Sequence, residues 1–372
     1  MKITAIAMSR IPAYLANGIQ VMKTCQAMAQ LGHDVTLLLP DLEPGAPVSR
    51  EWEALAAHYG LQTPFRLEWL QTPGRRLFTY QAVRRALRLQ PDLLYAWPVH
   101  SAVFGLLAKL PVLLELHEPP QGRFGPFLYR RFLQLPGQKR QVCITQALRD
   151  ILKRDFGGTL ETIIAPNGVD LERFASLPDP GPARRQIGLT DAPTAACTGH
   201  LYAGRGVDLF LGLAAASPET QFLWAGGRPA DVTHWQARAA KMNLSNVTFT
   251  GFIPNDDLPR YQAAADVLLM PYEKAISGSS GGDSAAVASP MKMFDYMAAG
   301  RAILTSDLPV IREILDDSSA VFCPPGDLPA WTEALRALLA DPSRRTSLAR
   351  AAQAKVRACT WLERSRRILE GL

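Results

Sequence analysis

The feature that most constrains this chain is an alternation, repeated along its whole length, of short apolar runs with longer amphipathic stretches. In the first half Ile3–Met8 reads as a strand, Gly18–Leu31 as a helix stopped by Gly32, and Val35–Leu39 as a second strand, together a βαβ unit. Further strands are predicted at Phe65–Leu70, Leu93–Ala96, Val112–Leu116, Gln141–Ile144 and Thr162–Ala165, with helical segments between them. Pro166, Asn167 and Gly168 interrupt this series, Leu177–Pro182 is rich in proline, and an interdomain linker is expected at 169–182. A second series follows, with strands near Ala195–Thr198, Phe222–Ala225, Val247–Thr250, Val267–Met270, Ala302–Thr305 and Ala320–Cys323. Such a pattern predicts an α/β protein of two Rossmann-like, doubly wound parallel sheets, at 1–168 and 183–358. The last helix, about 359–372, is expected to cross back to the first domain. A length of 372 residues is enough for each domain to bury its own core.

Composition excludes several classes. Five cysteines stand singly, without CxxC, so a reducing compartment fits better than a disulfide framework. The six histidines form no ligand cluster, and no metal is predicted. The N-terminus reads as a first strand rather than a signal peptide, and the most apolar stretch, Ala102–Leu116, is broken by Lys109 and Pro111. The expected location is cytoplasmic. Net charge is +6, and between Gln71 and Arg154 fourteen Lys or Arg face four Asp or Glu. That imbalance suits solvated helix faces, an acidic substrate or peripheral contact with anionic lipid on the inner face of a membrane. The segment Phe124–Leu135 mixes aromatics with Arg130 and Arg131 and reads either as an interfacial segment or as an ordinary helix, the ordinary helix being favoured. No recognition-helix, zinc-finger or RNP pattern accompanies the charge, so nucleic acid is not an expected partner.

The stretch Ala288–Asp307 carries the chemistry. Ser289 is a suitable N-cap, Pro290 suits the first helical position and Gly300 can stop the helix. On that helix Met291, Phe294 and Met297 or Ala298 share one face, predicted to be buried, while Lys292, Asp295 and Ala299 share another. A cation in the first turn, a carboxylate one turn on and amides without helical partners can hold a diphosphate and a ribose. The same residues also suit a plain solvated helix end. Just before it, Ser277–Ala288 (SGSSGGDSAAVA) reads as a flexible loop.

Six stretches, in order, resemble the family 4 glycosyltransferases, retaining enzymes of the GT-B fold with two Rossmann-like domains facing across a cleft. They are NGIQVMKTCQAMAQLGHDVTLL from Asn17, VCITQALRDILKRDFG from Val142, IIAPNGVDLERF from Ile163, TGHLYAGRGVDLFL from Thr198, VTFTGFIPNDDLPRYQAAADVLLMPY from Val247, and the Ala288 stretch. The resemblance implies that Gly18 lets the backbone approach a donor diphosphate. It also implies that His200 and Arg205 stand where the family carries an Arg and a Lys on the leaving diphosphate. Arg205 keeps a permanent charge, whereas His200 is only partly protonated near neutrality. Ser289, Pro290, Met291 and Lys292 resemble the SPLK-like donor motif of one subgroup, with Lys292 supplying further charge. Asp295 matches the second acid of the E-x7-E motif, expected on the ribose hydroxyls. The first acid would fall at Val287, so Asp283 is the candidate for the donor sugar. His117, in LELHEPP, resembles a histidine that hydrogen-bonds the donor sugar at the reacting face, with Glu118 placed to orient it or touch the acceptor. Phe252 and Ile253 look like the residues flanking the base.

The implied function is retaining, metal-independent transfer of a hexose from a nucleotide sugar, UDP-linked in preference to GDP-linked, to an acceptor hydroxyl. No cofactor is implied, since the nucleotide sugar is a substrate. The acceptor is open among a polysaccharide, a lipid-linked glycan and a small molecule. The missing first acid and His200 keep a second reading open, a nucleotide-sugar-binding partner without transferase activity. A nicotinamide oxidoreductase lacks its GxGxxG after the first strand, and phosphorylase-like chemistry lacks a recognisable pyridoxal lysine.

Overall fold

A computed structural model describes residues 1–72, 75–158, 160–275 and 286–372. The chain forms two units: Met1–Asn167 with Val287–Ser289 and Trp361–Leu372, and Gly168–Ala286 with Pro290–Thr360. Each is described by itself.

Unit 1 is built on strands β1 (Lys2–Ile6), β2 (Asp34–Pro40), β3 (Arg66–Leu70), β4 (Leu93–Ala96), β5 (Val112–Leu116), β6 (Lys139–Cys143) and β7 (Thr162–Ile164). They form one sheet in the order β3-β2-β1-β4-β5-β6-β7, with every pairing parallel. Because helices cover both faces, β4 and β5 are buried throughout and do not alternate: β4 reads as an unbroken apolar run, and β5 as one interrupted by Glu115. One layer contains α1 (Ala16–Gln30), α2 (Trp52–Tyr59) and the chain's last helix, while the other contains α3 (Arg75–Leu89), α4 (Val99–Leu107), α5 (Gly125–Gln134) and α6 (Gln146–Phe156). Most of Phe124–Leu135 forms α5, which buries Tyr129 and Phe132 and leaves Phe124 and Phe127 exposed.

In unit 2 helices α7 (Pro180–Gln186), α8 (Val207–Ala216), α9 (Pro229–Lys241), α10 (Leu258–Ala263), α11 (Met291–Ala299), α12 (Pro309–Arg312), α13 (Leu328–Ala340) and α14 (Pro342–Val356) surround a second sheet. Its strands β8 (Thr194–Thr198), β9 (Gln221–Ala225), β10 (Val247–Phe249), β11 (Val267–Met270), β12 (Ala302–Ser306) and β13 (Val321–Cys323) are parallel in the order β10-β9-β8-β11-β12-β13. Trp224 and Trp331 centre the core. Residues 169–182 are built into this unit. They contain the 3-10 turn Leu171–Phe174, and Pro178 O accepts a 2.7 Å bond from Arg301 Nη2.

The last helix, α15 (Trp361–Leu369), lies against α1 and buries Ile368 and Leu369 in the unit 1 core. Arg140 Nη1 donates to Ile368 O (2.9 Å) and Glu370 O (2.6 Å), which satisfies carbonyls at the helix C-terminus that have no helical partner.

Candidate functional site

Sheet order in unit 2 reverses between β8 and β11, so the loops leaving their carboxyl ends diverge, the place where open α/β sheets bind ligands. The loop after β8, residues 199–206, carries His200 and Arg205. It is closed by Arg205 N donating to Tyr202 O (3.2 Å) and Glu273 N donating to Gly204 O (3.0 Å). Gly206 ends it at φ +75°, and a Cβ there would lie 1.7 Å from Pro271 O. Only glycine allows the β8 loop to pass so close to the start of the loop after β11.

That close approach gathers charge. Arg205 Nη1 donates to the Tyr272 hydroxyl at 3.1 Å, with the guanidinium 5.2 Å from the ring centroid. Lys292 Nζ lies 5.1 Å from the centroid of the same ring, 5.8 Å from that of Trp224, and 3.5 Å from Cys197 Sγ, to which it donates. Two cations from separate elements therefore share one aromatic ring, itself only 1% exposed. The ring quadrupole holds each of them but neutralises neither. An anion with several oxygens is the natural complement of such a pair. Tyr272 was not singled out by sequence. It ends the Val247 stretch as a tyrosine after a buried strand, which reads as core.

Lys292 stands in the first turn of α11, but that helix begins one residue later than predicted. Pro290 is the N-cap, in extended conformation, with no side chain capping the end. Ser289 does not cap it: its Oγ accepts from Asn167 N at 3.0 Å, and its carbonyl accepts from Asn167 Nδ2 at 2.7 Å. Extended Pro290 keeps the hydroxyl of Ser289 out of reach of the first-turn amides. Proline also lacks an N–H, so the helix offers the amides of Met291 and Lys292, whereas Met293 N already donates to Pro290 O (3.0 Å). Gly300 stops the helix in left-handed conformation, φ +64°. The helix is buried nearly all round, Ala299 included; Met291, Lys292 and Asp295 alone are half-buried, and Met291 was expected inside. Asp295 faces Arg173 at 4.0 Å, and Arg173 also lies 3.7 Å from Asp256 and donates to Asn255 O. Arg173 belongs to the Ile163 stretch, where sequence had assigned it no role.

His200 is not part of the Tyr272 cluster. Its ring stacks on Tyr202 (4.8 Å between centroids, 15° between planes), and Arg228 covers Tyr202 at 5.0 Å while donating to its hydroxyl at 2.8 Å. Phe252 is exposed and Ile253 half-buried in the loop after β10, which meets the loop after β9 through a Gly226–Gly251 bridge. Val287 is 4% exposed within the unit 1 core, and its carbonyl accepts from Thr145 Oγ1 at 3.1 Å, so it is a packing residue. Asp283 lies outside the described residues.

In unit 1, His117 follows β5. Its Nε2 is 2.6 Å from Glu115 Oε1. Glu115, two residues earlier, holds the imidazole in place of the expected Glu118. It is fully buried, also accepts from Gln20 Nε2 (2.7 Å) and the Tyr95 hydroxyl, and forms an ion pair with Arg364, whose Nη2 lies 2.8 Å from Oε1. Burial alone would raise the Glu115 pKa, but the Arg364 charge and the contacts of His117 and Tyr95 together outweigh it and hold the carboxyl at about 2. Being ionised, Glu115 can only accept, so His117 Nε2 carries a proton and Nδ1 is left for a ligand. Gly18 sits inside the first turn of α1, not in a loop before it. A Cβ there would meet the Tyr59 hydroxyl at 3.2 Å, so its smallness serves packing against α2.

The groups that could bind a metal do not form a cluster of three His, Cys, Asp or Glu among the described residues. No described helix is long and apolar enough to cross a membrane.

Residues 18–173 match the family Glycosyltransferase Family 4, and residues 192–341 match Glycosyl transferases group 1. Among curated proteins, a GDP-mannose-dependent alpha-(1-6)-phosphatidylinositol monomannoside mannosyltransferase of Mycolicibacterium smegmatis is 29% identical over 210 residues, 52% of this chain and 51% of that protein. A D-inositol 3-phosphate glycosyltransferase of Xylanimonas cellulosilytica is 29% identical over 242 residues, 62% of this chain and 55% of that protein. The chain thus spans about half the length of the curated relatives it matches. Among solved structures, sucrose-phosphate synthase of Thermosynechococcus elongatus superposes with a TM-score of 0.76 at 18% identity, covering 98% of this chain and 96% of that one. Anabaena HepE, in complex with UDP and glucose, superposes with a TM-score of 0.75 at 18% identity, covering 100% and 98%. Matched in order over both halves and folded as two parallel-sheet α/β units, the chain belongs to glycosyltransferase family 4 and has the GT-B fold.

Proposed function

We propose that this chain transfers a hexose from a nucleoside-diphosphate sugar to an acceptor hydroxyl, with retention at the anomeric carbon and without a metal ion. The observation that carries the reading is the convergence of Arg205 and Lys292 on the ring of Tyr272 at the carboxyl ends of β8 and β11. A diphosphate supplies the anionic oxygens that such a cation pair lacks, and the amides of Met291 and Lys292 add donors at the positive end of α11. Asp295, one turn on, is assigned to the ribose hydroxyls, and the loop carrying Phe252 and Ile253 to the base.

In this scheme the bond from the anomeric carbon to the diphosphate oxygen breaks, and the departing charge is stabilised by Arg205, Lys292 and the helix end. The acceptor oxygen forms its bond on the same face of the sugar, and its proton passes to the leaving phosphate oxygen. No protein nucleophile is needed. His117, its tautomer fixed by Glu115, is assigned through Nδ1 to a hydroxyl of the transferring sugar. The SPLK-like assignment of Ser289 to Lys292 narrows to its last two residues as amide donors.

The donor base is a separate choice. The mycobacterial relatives are named as GDP-mannose-dependent, whereas HepE was solved with UDP and with UDP-glucose. A thermal-shift screen of UDP, GDP, ADP and their sugars separates these, because a ligand bound only by the native state raises the melting temperature by mass action. Stabilisation by one nucleoside diphosphate, lost on Lys292→Met, is the expected result. No response to any of them refutes the donor site, and donor binding without turnover on a supplied acceptor extract would leave the non-catalytic binding reading.

A further inference from the structure

Among the described residues nine large apolar side chains are exposed, and six of them lie on one helical layer of unit 1. They are Leu77, Tyr80 and Leu87 of α3, Leu107 at the end of α4, and Phe124 and Phe127 at the start of α5. Phe127 is 60% exposed and Leu107 57%. The layer on the other side of the same sheet, α1, α2 and α15, exposes none among the described residues. The asymmetry is therefore not a general property of this unit's surface.

The charge on the three helices that carry these side chains is of one sign. Within this layer α3, α4 and α5 contain no Asp or Glu, and the two acids of α6, Asp150 and Asp155, are each paired with the arginine before them, while Arg84, Arg88, Arg130 and Arg131 project into solvent from α3 and α5. Arginine and aromatic ring are paired on this face: the Arg84 guanidinium is 5.9 Å from the ring centroid of Tyr80, and that of Arg123 is 5.6 Å from the ring centroid of Phe124. The three helices are laterally contiguous, with the Tyr80 and Phe104 rings in edge contact at 6.0 Å across α3 and α4.

We propose that this α3–α4–α5 layer docks on an anionic lipid bilayer. Aromatic rings and leucines enter the boundary between headgroups and acyl chains, while guanidinium groups beside them meet the lipid phosphates. A second copy of this chain is a poorer occupant, since a twofold pairing of α3, α4 and α5 sets arginine against arginine, and these three helices carry no Asp or Glu to relieve it. The inference stands apart from the transfer reaction and does not depend on it.

The test is co-sedimentation of the whole protein with vesicles of phosphatidylcholine alone and of phosphatidylcholine mixed with phosphatidylglycerol. Binding is expected to the mixed vesicles only, and to weaken when salt rises from roughly 0.1 to 0.5 M. Replacing Arg84, Arg88 and Arg130 by Gln should lower the partition coefficient by about fivefold per arginine, on the order of a hundredfold together. Phe124→Ser with Phe127→Ser should lower it by about tenfold or more. Met242→Ser, an exposed apolar change in unit 2, should leave it unaltered. All changed side chains are solvent-facing, and an unchanged melting temperature shows that the fold is intact. The proposal is overturned by equal binding to neutral vesicles, by no binding to either, or by a concentration-dependent dimer in ultracentrifugation that the double Phe variant abolishes.

Discussion

Arg364→Met tests the buried charge network behind His117. Arg364 is 3% exposed and its Nη2 lies 2.8 Å from Glu115 Oε1, while its Nε donates to Pro166 O at 2.9 Å. Glu115 is held at about 2 against an ordinary 4.5, a displacement equivalent to about 3 kcal/mol at 1.36 kcal/mol per pH unit. Because its native pKa is depressed, that stabilisation is present above the unfolded value near 4.5 and is lost as pH falls through the window from 4.5 to 2. Methionine keeps much of the volume but leaves a buried carboxylate without its counter-charge, which costs about 3–5 kcal/mol.

The variant's pH dependence should then change sign. With Arg364 gone, burial dominates and lifts the Glu115 pKa above its unfolded value, so stability is fullest in acid and declines as pH rises toward neutrality. Glu115→Gln combined with Arg364→Met removes both charges and should recover about 1–4 kcal/mol of the loss, with a flat profile. Urea unfolding from pH 4 to 8 measures the free energies, and hydrogen exchange of the β5 amides assigns the change to unit 1. If Arg364→Met lies within about 0.5 kcal/mol of the parent at pH 7, the range of an ordinary surface change, the pairing does not hold Glu115 and the account of His117 fails with it.

Three further changes probe the site. Asp295→Ala should weaken nucleoside diphosphate binding by about 1.5–3 kcal/mol in calorimetry, the scale of a charge-assisted hydrogen bond; unaltered affinity removes the ribose assignment. Gly206→Ala places a Cβ against Pro271 O at positive φ and should cost about 3 kcal/mol or more, read as a lowered urea midpoint. A midpoint equal to the parent's would show that the β8 and β11 loops are free to separate. His117→Ala should lower turnover by about a hundredfold, while nucleotide affinity measured by calorimetry stays near that of the parent. Full turnover would take His117 out of the mechanism.

Most of the fold was legible because strand and helix periods are local: each of the thirteen described strands falls within two residues, at either end, of an apolar run. Element ends were less so, as Ser289 shows. An isolated sequence cannot reveal that Asn167 claims its hydroxyl, and the usual signature of Ser-Pro before a helix then misleads by one residue. Lys292 and Arg205 were legible as cations near strand ends, but their meeting point was not, because Tyr272 carries the same local signal as any tyrosine after a buried strand.

Glu115 shows the limit most sharply. A carboxylate in the middle of VLLEL conflicts with its apolar neighbours, and such a conflict marks a site where a local rule gives way to function or to a distant partner. The sequence thus carried the signal, whereas the adjacent Glu118 drew the assignment by being next to the histidine. What resolves it is Arg364, a residue 249 positions later on α15. The last helix therefore does more than cover α1 with Ile368 and Leu369. Without its guanidinium, burial would drive the carboxyl toward its neutral form, and protonated Glu115 could no longer fix the proton on His117 Nε2. Apolar packing by α15 could be supplied by many sequences, but the charge that opposes the burial of Glu115 beside His117 comes from one arginine within it.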